Sequence, residues 1–213
     1  MGNNPINYVD PTGHKPDEMS DADYLLLVRA ERDRQRPRES AIAEVKETLA
    51  KLPTGHDPEM PGVEFHVSDF AAEIYDASTK YGVPVVVIAA VMQQESFGGN
   101  PLANNSASYG PGDPCCEGGK GLMQVDLGEP PGTMGRYAGW WDEIPGKDAK
   151  EKTDFLYNPA NNIDFAVRMV LKPAWDASGG NIRVTLQAYN GGGDPNYTAN
   201  VNRFYRMMTG VDL

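Results

Sequence analysis

The chain of 213 residues is short of several things, and each shortage closes a class of function. It has two cysteines, and they are neighbours, Cys115 and Cys116. A disulfide framework needs separated partners, so none is available here. Reduced loop thiols, a strained vicinal disulfide and a metal site remain as readings. The last is disfavoured because no further Cys or nearby His completes a ligand set. The three His residues are scattered and receive no role. Positive charge is scarce: 19 Lys and Arg stand against 30 Asp and Glu, a formal net charge of −11. Nucleic-acid binding needs a basic footprint, and this balance argues against it. The same balance gives no general attraction toward an anionic polymer. No run of about 18 apolar residues exists to cross a membrane as a helix. No basic start leads into an apolar stretch, so no signal peptide is read, and a target outside the cytoplasm implies another carrier. With 40% hydrophobic and 23% charged residues, the composition is globular and sufficient for one sizeable core.

What is present concentrates between Pro84 and Asp126. Pro84 suits a helix start, and Val85 to Ser96 follows without a breaker until Gly98 and Gly99. The run is apolar on nearly every face, which predicts a buried helix. A buried strand is the competing reading for the β-branched residues Val85 to Ile88. On the helix reading, Glu95 occupies the last turn. Burial and the negative helix end both disfavour its ionised form. A carboxyl group kept protonated near neutral pH is what a general acid requires. Against this stands the plain alternative of a solvent-reaching Glu at a helix end.

Four segments then occur in order: Glu95-Ser96, Gly121-Leu122-Met123-Gln124, Asn158-Pro159-Ala160-Asn161-Asn162-Ile163 and Ala188-Tyr189-Asn190. In these the chain resembles the goose-type lysozyme and soluble lytic transglycosylase family over about residues 66–209. Val125-Asp126 and Gly112-Asp113 are similar to the goose-type branch, in which two aspartates face the catalytic Glu. The segment Pro114 to Lys120 is slightly longer than in that pattern, which weakens the match of Asp113. The resemblance implies a mainly α, lysozyme-like fold with a long loop or small irregular sheet beside the cleft. It implies peptidoglycan as substrate, cut at the β-1,4 bond between N-acetylmuramic acid and N-acetylglucosamine. Glu95, Asp126 and Asp113 are its catalytic candidates. Ser96, Gln124, Tyr189, Asn190 and Tyr109 are its substrate-binding candidates, with a buried polar network as the competing role for Gln124, Tyr189 and Asn190. No metal or cofactor is expected. A lytic transglycosylase forming 1,6-anhydro ends, a phage or virion muramidase, and a non-catalytic glycan-binding module are the alternatives to a muramidase.

The first sixteen residues are rich in Asn, Pro and Gly. Pro5, four residues, then Asp10-Pro11-Thr12-Gly13 resemble the closing pattern of Rhs and YD-repeat cores, except that His14 stands where Leu is frequent. That resemblance implies a polymorphic antibacterial toxin carried by a longer protein with Met1 as an internal start. It also implies a cognate immunity protein, an Rhs shell as partner, and delivery to a target-cell periplasm or cell wall. Residues 17–58 read as a helical linker or accessory segment: one helix from Ala22 to about Arg36, a break at Pro37, and a second from Arg38 to Leu52. Residues 59–213 are expected to form the lysozyme-like catalytic domain that the resemblance implies. Within it Ser68 is expected to cap a helix over Asp69–Tyr81. Further helices are expected from Asn158 or Pro159 to Leu171, over Ile182–Tyr189 and over Asn196–Met208. Trp140-Trp141 fit either a core anchor or a sugar-stacking platform.

Overall fold

The computed structural model describes residues 37–56, 60–96, 98–103, 118–128, 140–191 and 194–213. The Rhs-like start, the first expected linker helix, Tyr109, Asp113, Cys115 and Cys116 lie outside these residues. The chain divides into two compact units, 1–44 and 45–213. Of the first unit, only the helical residues 37–44 are described, as part of a helix α1 over residues 37–49. All that follows concerns the second unit.

The centre of this unit is helix α3, Val85–Glu95, in which Val87 to Gln93 are all buried. The helix reading of the apolar run therefore holds. Pro84 is its N-cap, one position earlier than a first-turn proline, with extended ψ of 138°. Around α3 stand α2, Ala71–Tyr81, and α8, Tyr197–Thr209, with α8 making the most extensive packing. Tyr197, Val201, Phe204 and Met208 bury one stripe of α8. Their three- and four-residue spacing is what an amphipathic helix needs to cover a core.

The approach to α2 differs from expectation. Val67–Phe70 winds as a tighter 3-10 turn, and Ser68 makes no side-chain cap to the helix. The tighter i→i+3 winding uses the backbone itself at the helix entrance, which leaves no place for the hydroxyl. Gly82 closes α2 in the left-handed conformation at φ 71°, the stop expected of it.

A two-residue antiparallel ribbon follows α3: β1, Gly119–Lys120, and β2, Val125–Asp126, with Gly119 opposite Asp126 and Lys120 opposite Val125. This is the small irregular sheet that the family resemblance implied. Helix α4, Ala149–Tyr157, was not anticipated, although its signal is local. Asp148 accepts from the Glu151 N–H at 2.9 Å, and the Glu151 carboxylate accepts from the Lys147 N–H at 3.0 Å. That is a capping-box arrangement displaced by one residue at the return bond.

Helix α5, Pro159–Ala166, starts as expected, with the Asn158 side chain accepting from the Asn161 N–H and Pro159 in the first turn. It does not end at Leu171. Val167–Leu171 widens into a π-helical turn and runs on into α6, Lys172–Ala177, through Pro173. A proline inside a regular α-helix clashes with the carbonyl four residues back. The wide turn takes that carbonyl out of register, so the chain continues. Helix α7, Ile182–Tyr189, is capped by Asn181, whose side chain accepts from the Val184 N–H. Trp140 packs edge-on against Phe165 with ring centroids 6.2 Å apart, a core anchor.

Candidate active site

Glu95 is the last residue of α3, where the chain turns sharply. The Ser96 hydroxyl donates to the Met92 carbonyl at 2.8 Å and closes the helix from inside. Two residues on, Gly98 has φ +84°, and a Cβ there would sit 2.4 Å from Gly55 Cα. Only a glycine lets the 53–56 segment cross this close to the end of α3. Glu95 is thus held at an element terminus braced on both sides.

The Glu95 side chain is half-buried, and its carboxyl is enclosed closely enough that burial pushes its pKa up to about 7. The Tyr197 hydroxyl donates to Glu95 Oε1 at 2.5 Å and partly offsets that rise by favouring the anion. Burial, with the Glu95 carboxylate next in importance, pushes the Tyr197 phenol far above its ordinary range, so it remains a donor. Tyr189 stacks near Tyr197, with centroids 6.4 Å apart and planes 20° apart. Its hydroxyl donates to the Met123 carbonyl at 2.5 Å. A continuous polar and aromatic line therefore runs from Glu95 through Tyr197 and Tyr189 to the turn that carries Gln124.

That turn is itself built from buried contacts. Gly121 has φ +72°, and a Cβ there would lie 2.5 Å from both the Leu156 carbonyl oxygen and Asn162 Nδ2. Asn162 is fully buried. It donates to the Lys120 carbonyl at 2.8 Å and the Leu156 carbonyl at 2.9 Å, and accepts from the Met123 N–H at 2.7 Å. One side chain thus ties the ribbon to α4 and α5. Gln124 is the one non-glycine residue with positive φ among the described residues, at 46°. Its amide N–H donates to the Gly121 carbonyl at 2.8 Å. Its buried Oε1 has no partner among the described residues. Among the described residues the Gln93 Oε1 is likewise buried without a partner.

Asp126 follows on β2. Its Oδ1 accepts from the Gly128 N–H at 2.8 Å. Burial raises its pKa, and the Gly128 bond and the neighbouring charge of Lys120 pull the other way. Lys120 is 1% exposed, so this positive charge acts from inside the protein, where screening is weak.

Of the residues singled out from the sequence, the fold links Glu95, Tyr189 and Gln124 through shared contacts and places Asp126 two residues beyond Gln124. Ser96 is fully buried with its hydroxyl bonded to its own helix. Asn190 braces a turn: its amide donates to the Asp194 carbonyl at 2.8 Å and accepts from the Asp194 N–H at 3.2 Å. Asp113 and Tyr109 lie outside the described residues. Tyr197 as the partner of Glu95 is not among the candidates read from the sequence, which gave only a helix over Asn196–Met208. Asn162 enters there only as part of a helix start. The available signal was a polar residue directly beside the inward-facing Ile163 of α5. Among the described residues, no group of three His, Cys, Asp or Glu could hold a metal ion.

A family model described as the transglycosylase SLT domain matches residues 73–205. The matched region runs from within α2 to within α8 and includes every site residue above. No curated protein and no solved structure matches the chain.

Proposed function

The chain belongs to the transglycosylase SLT domain family, a family of enzymes that cleave the glycan strands of peptidoglycan, and from that membership we propose that Glu95 is the proton donor to the leaving glycosidic oxygen. The observation that carries this is the enclosed Glu95 carboxyl with its pKa near 7, supported by one phenolic donor. A group with that pKa is available as acid near neutral pH and, once ionised, as base.

The bond cut is the β-1,4 linkage between N-acetylmuramic acid and N-acetylglucosamine. In our reading it is cut by hydrolysis. Glu95 protonates the leaving oxygen and the C1–O bond breaks. A water held by Asp126 attacks C1 from the opposite face, and Asp126 takes its proton. The Lys120 charge favours the ionised Asp126 that this step needs. Gln124 is assigned to substrate binding by its place in the Gly121-Leu122-Met123-Gln124 segment beside Asp126. The second reading is transglycosylation, favoured by the family match and by the burial that raises the Asp126 pKa. There Glu95 again protonates the leaving oxygen as the C1–O bond breaks, the muramyl 6-hydroxyl attacks C1 and gives its proton to the Glu95 carboxylate, and a 1,6-anhydro end forms.

Mass spectrometry of products from purified peptidoglycan tests both. Reducing muramic ends that vanish with Glu95→Gln support hydrolysis. Products lighter by one water support transglycosylation and leave Asp126 as a structural residue. No cleavage by the wild type would remove the enzymatic assignment of the site.

The Pro5 to Gly13 pattern supports a further reading, that this domain is the toxin end of an Rhs-type effector delivered to a competitor's periplasm and neutralised by an immunity protein. Expression with a periplasmic leader then lyses cells, while cytoplasmic expression is harmless. Equal toxicity in both compartments would sink it.

A further inference from the structure

Not every groove of the molecule leads to Glu95. A cavity of about 420 Å³ lies between α7 and α8. A second, of about 270 Å³, adjoins it along α8, and the two share Ala199 and Asn202. They form one trough. On α8, Tyr197 and Val201 are buried toward α3. Ala199, Asn202, Arg203 and Arg206 fall on the other side of a 3.6-residue helix. The trough therefore lies on the face of α8 turned from α3, with Asn190 at its edge.

Its lining is basic. Three arginines line it, Arg183, Arg203 and Arg206, in a protein of net charge −11. The acids beside them are Asp194 and Asp212. All three arginines are exposed. Each is also steadied locally: Arg183 donates to the Leu213 carbonyl at 2.9 Å, Arg203 lies over the Phe204 ring at 4.8 Å, and Arg206 stands 3.7 Å from Asp212. Gln187 and Thr198 add an amide and a hydroxyl to the same lining. A small residue, Ala199, lies at the join and keeps the trough open there.

We propose that this trough is a second peptidoglycan-binding site, which holds the stem-peptide carboxylates and acetamido groups of a strand other than the one being cut. The inference rests on the peptidoglycan reading of the catalytic site. Guanidinium groups match carboxylates in a planar, two-point geometry. Amides and hydroxyls match neutral sugar substituents, which a purely basic patch does not. The wall is anionic and the chain is strongly acidic, so long-range charge opposes approach and a local basic site must counter it. The wall also presents many equivalent stems on neighbouring strands. A weak second contact then becomes intramolecular and multiplies retention.

The test uses the full chain carrying Glu95→Gln, which binds without cutting, in co-sedimentation with purified sacculi over a salt series. Reversal of Arg203 and Arg206 to Glu is expected to lower retention about tenfold and to flatten its salt dependence. The milder pair Arg203→Ala and Arg206→Ala is expected to give an intermediate loss. In the Glu95 background, the same reversals leave turnover of a short soluble glycan fragment unchanged. Unchanged retention overturns the proposal and points to another occupant, such as an acidic protein. A parallel loss on the soluble fragment also overturns it, as damage to the fold. If the wild type fails to cut sacculi while retention still follows the arginines, the cleavage reading fails and the trough assignment stands.

Discussion

Glu95 couples function to stability through one proton. Its folded pKa of about 7 lies above the ordinary 4.5. The folded state therefore binds the proton more tightly than the unfolded chain. The resulting stabilisation is complete below about pH 4.5 and is lost as pH rises toward 7. A shift of this size corresponds to about 3 kcal/mol. Glu95→Gln, which stays neutral, is expected to unfold at higher temperature than the wild type at pH 8 and at a similar temperature at pH 4. Thermal melts at the two pH values check this. Cleavage is expected to fall about 100-fold or more in the same variant. Tyr197→Phe removes the donor that favours the Glu95 anion. The Glu95 pKa should then rise, and the alkaline limb of the pH–rate profile should move to higher pH. A limb that moves down, or does not move, would show that Tyr197 does not set the titration of Glu95.

At the scale of elements, the site depends on how the β1–β2 ribbon is pinned. Asn162 bonds two carbonyls and one N–H from a fully buried position. Asn162→Leu would remove all three of these buried bonds, at a cost of about 3 kcal/mol. Loss of activity is expected to track loss of the ribbon, seen as faster amide exchange at Met123. Gly121→Ala is expected to cost about 2–4 kcal/mol, because it combines positive φ with a Cβ pressed on the Leu156 carbonyl. Chemical denaturation with an unchanged slope but a lower midpoint would confirm both. The Tyr189 bond to Met123 adds a further tether to the same turn and joins the end of α7 to it.

On the scale of the whole molecule, every described site residue lies in the unit formed by residues 45–213. Leu49 and Leu52 belong to its core, so helix α1 must be kept in any shortened chain. A chain beginning at residue 37 is expected to cut peptidoglycan at the rate of the full chain and to melt within a few degrees of it. A large loss of rate would place an activating role in residues 1–36. The same scale carries the charge argument: a net charge of −11 leaves binding to an anionic wall to local features, of which the arginine trough of α7 and α8 is one.

Much of this was legible in the amino-acid order, because the signals are local. The breaker-free length of the apolar run ending at Glu95 favoured a buried helix over a strand, and a helix with a carboxyl at its end is what forms. Asn158-Pro159 and Asn181 determined two helix starts through their own side-chain caps. The order of the four motifs determined the family. Local signals also misled: Ser68 could cap and does not, and Pro173 could break a helix and does not, since backbone winding at each place relieves the need. The tertiary structure alone decided which polar residues meet. Tyr197 reaches Glu95 across 102 positions of chain, Tyr189 reaches Met123 across 66, and Asn162 reaches Met123 across 39. A hydrogen bond between distant residues leaves no period or spacing in the sequence. It exists because α8 packs along α3 and the ribbon folds onto α5, and those contacts are set by the apolar core as a whole.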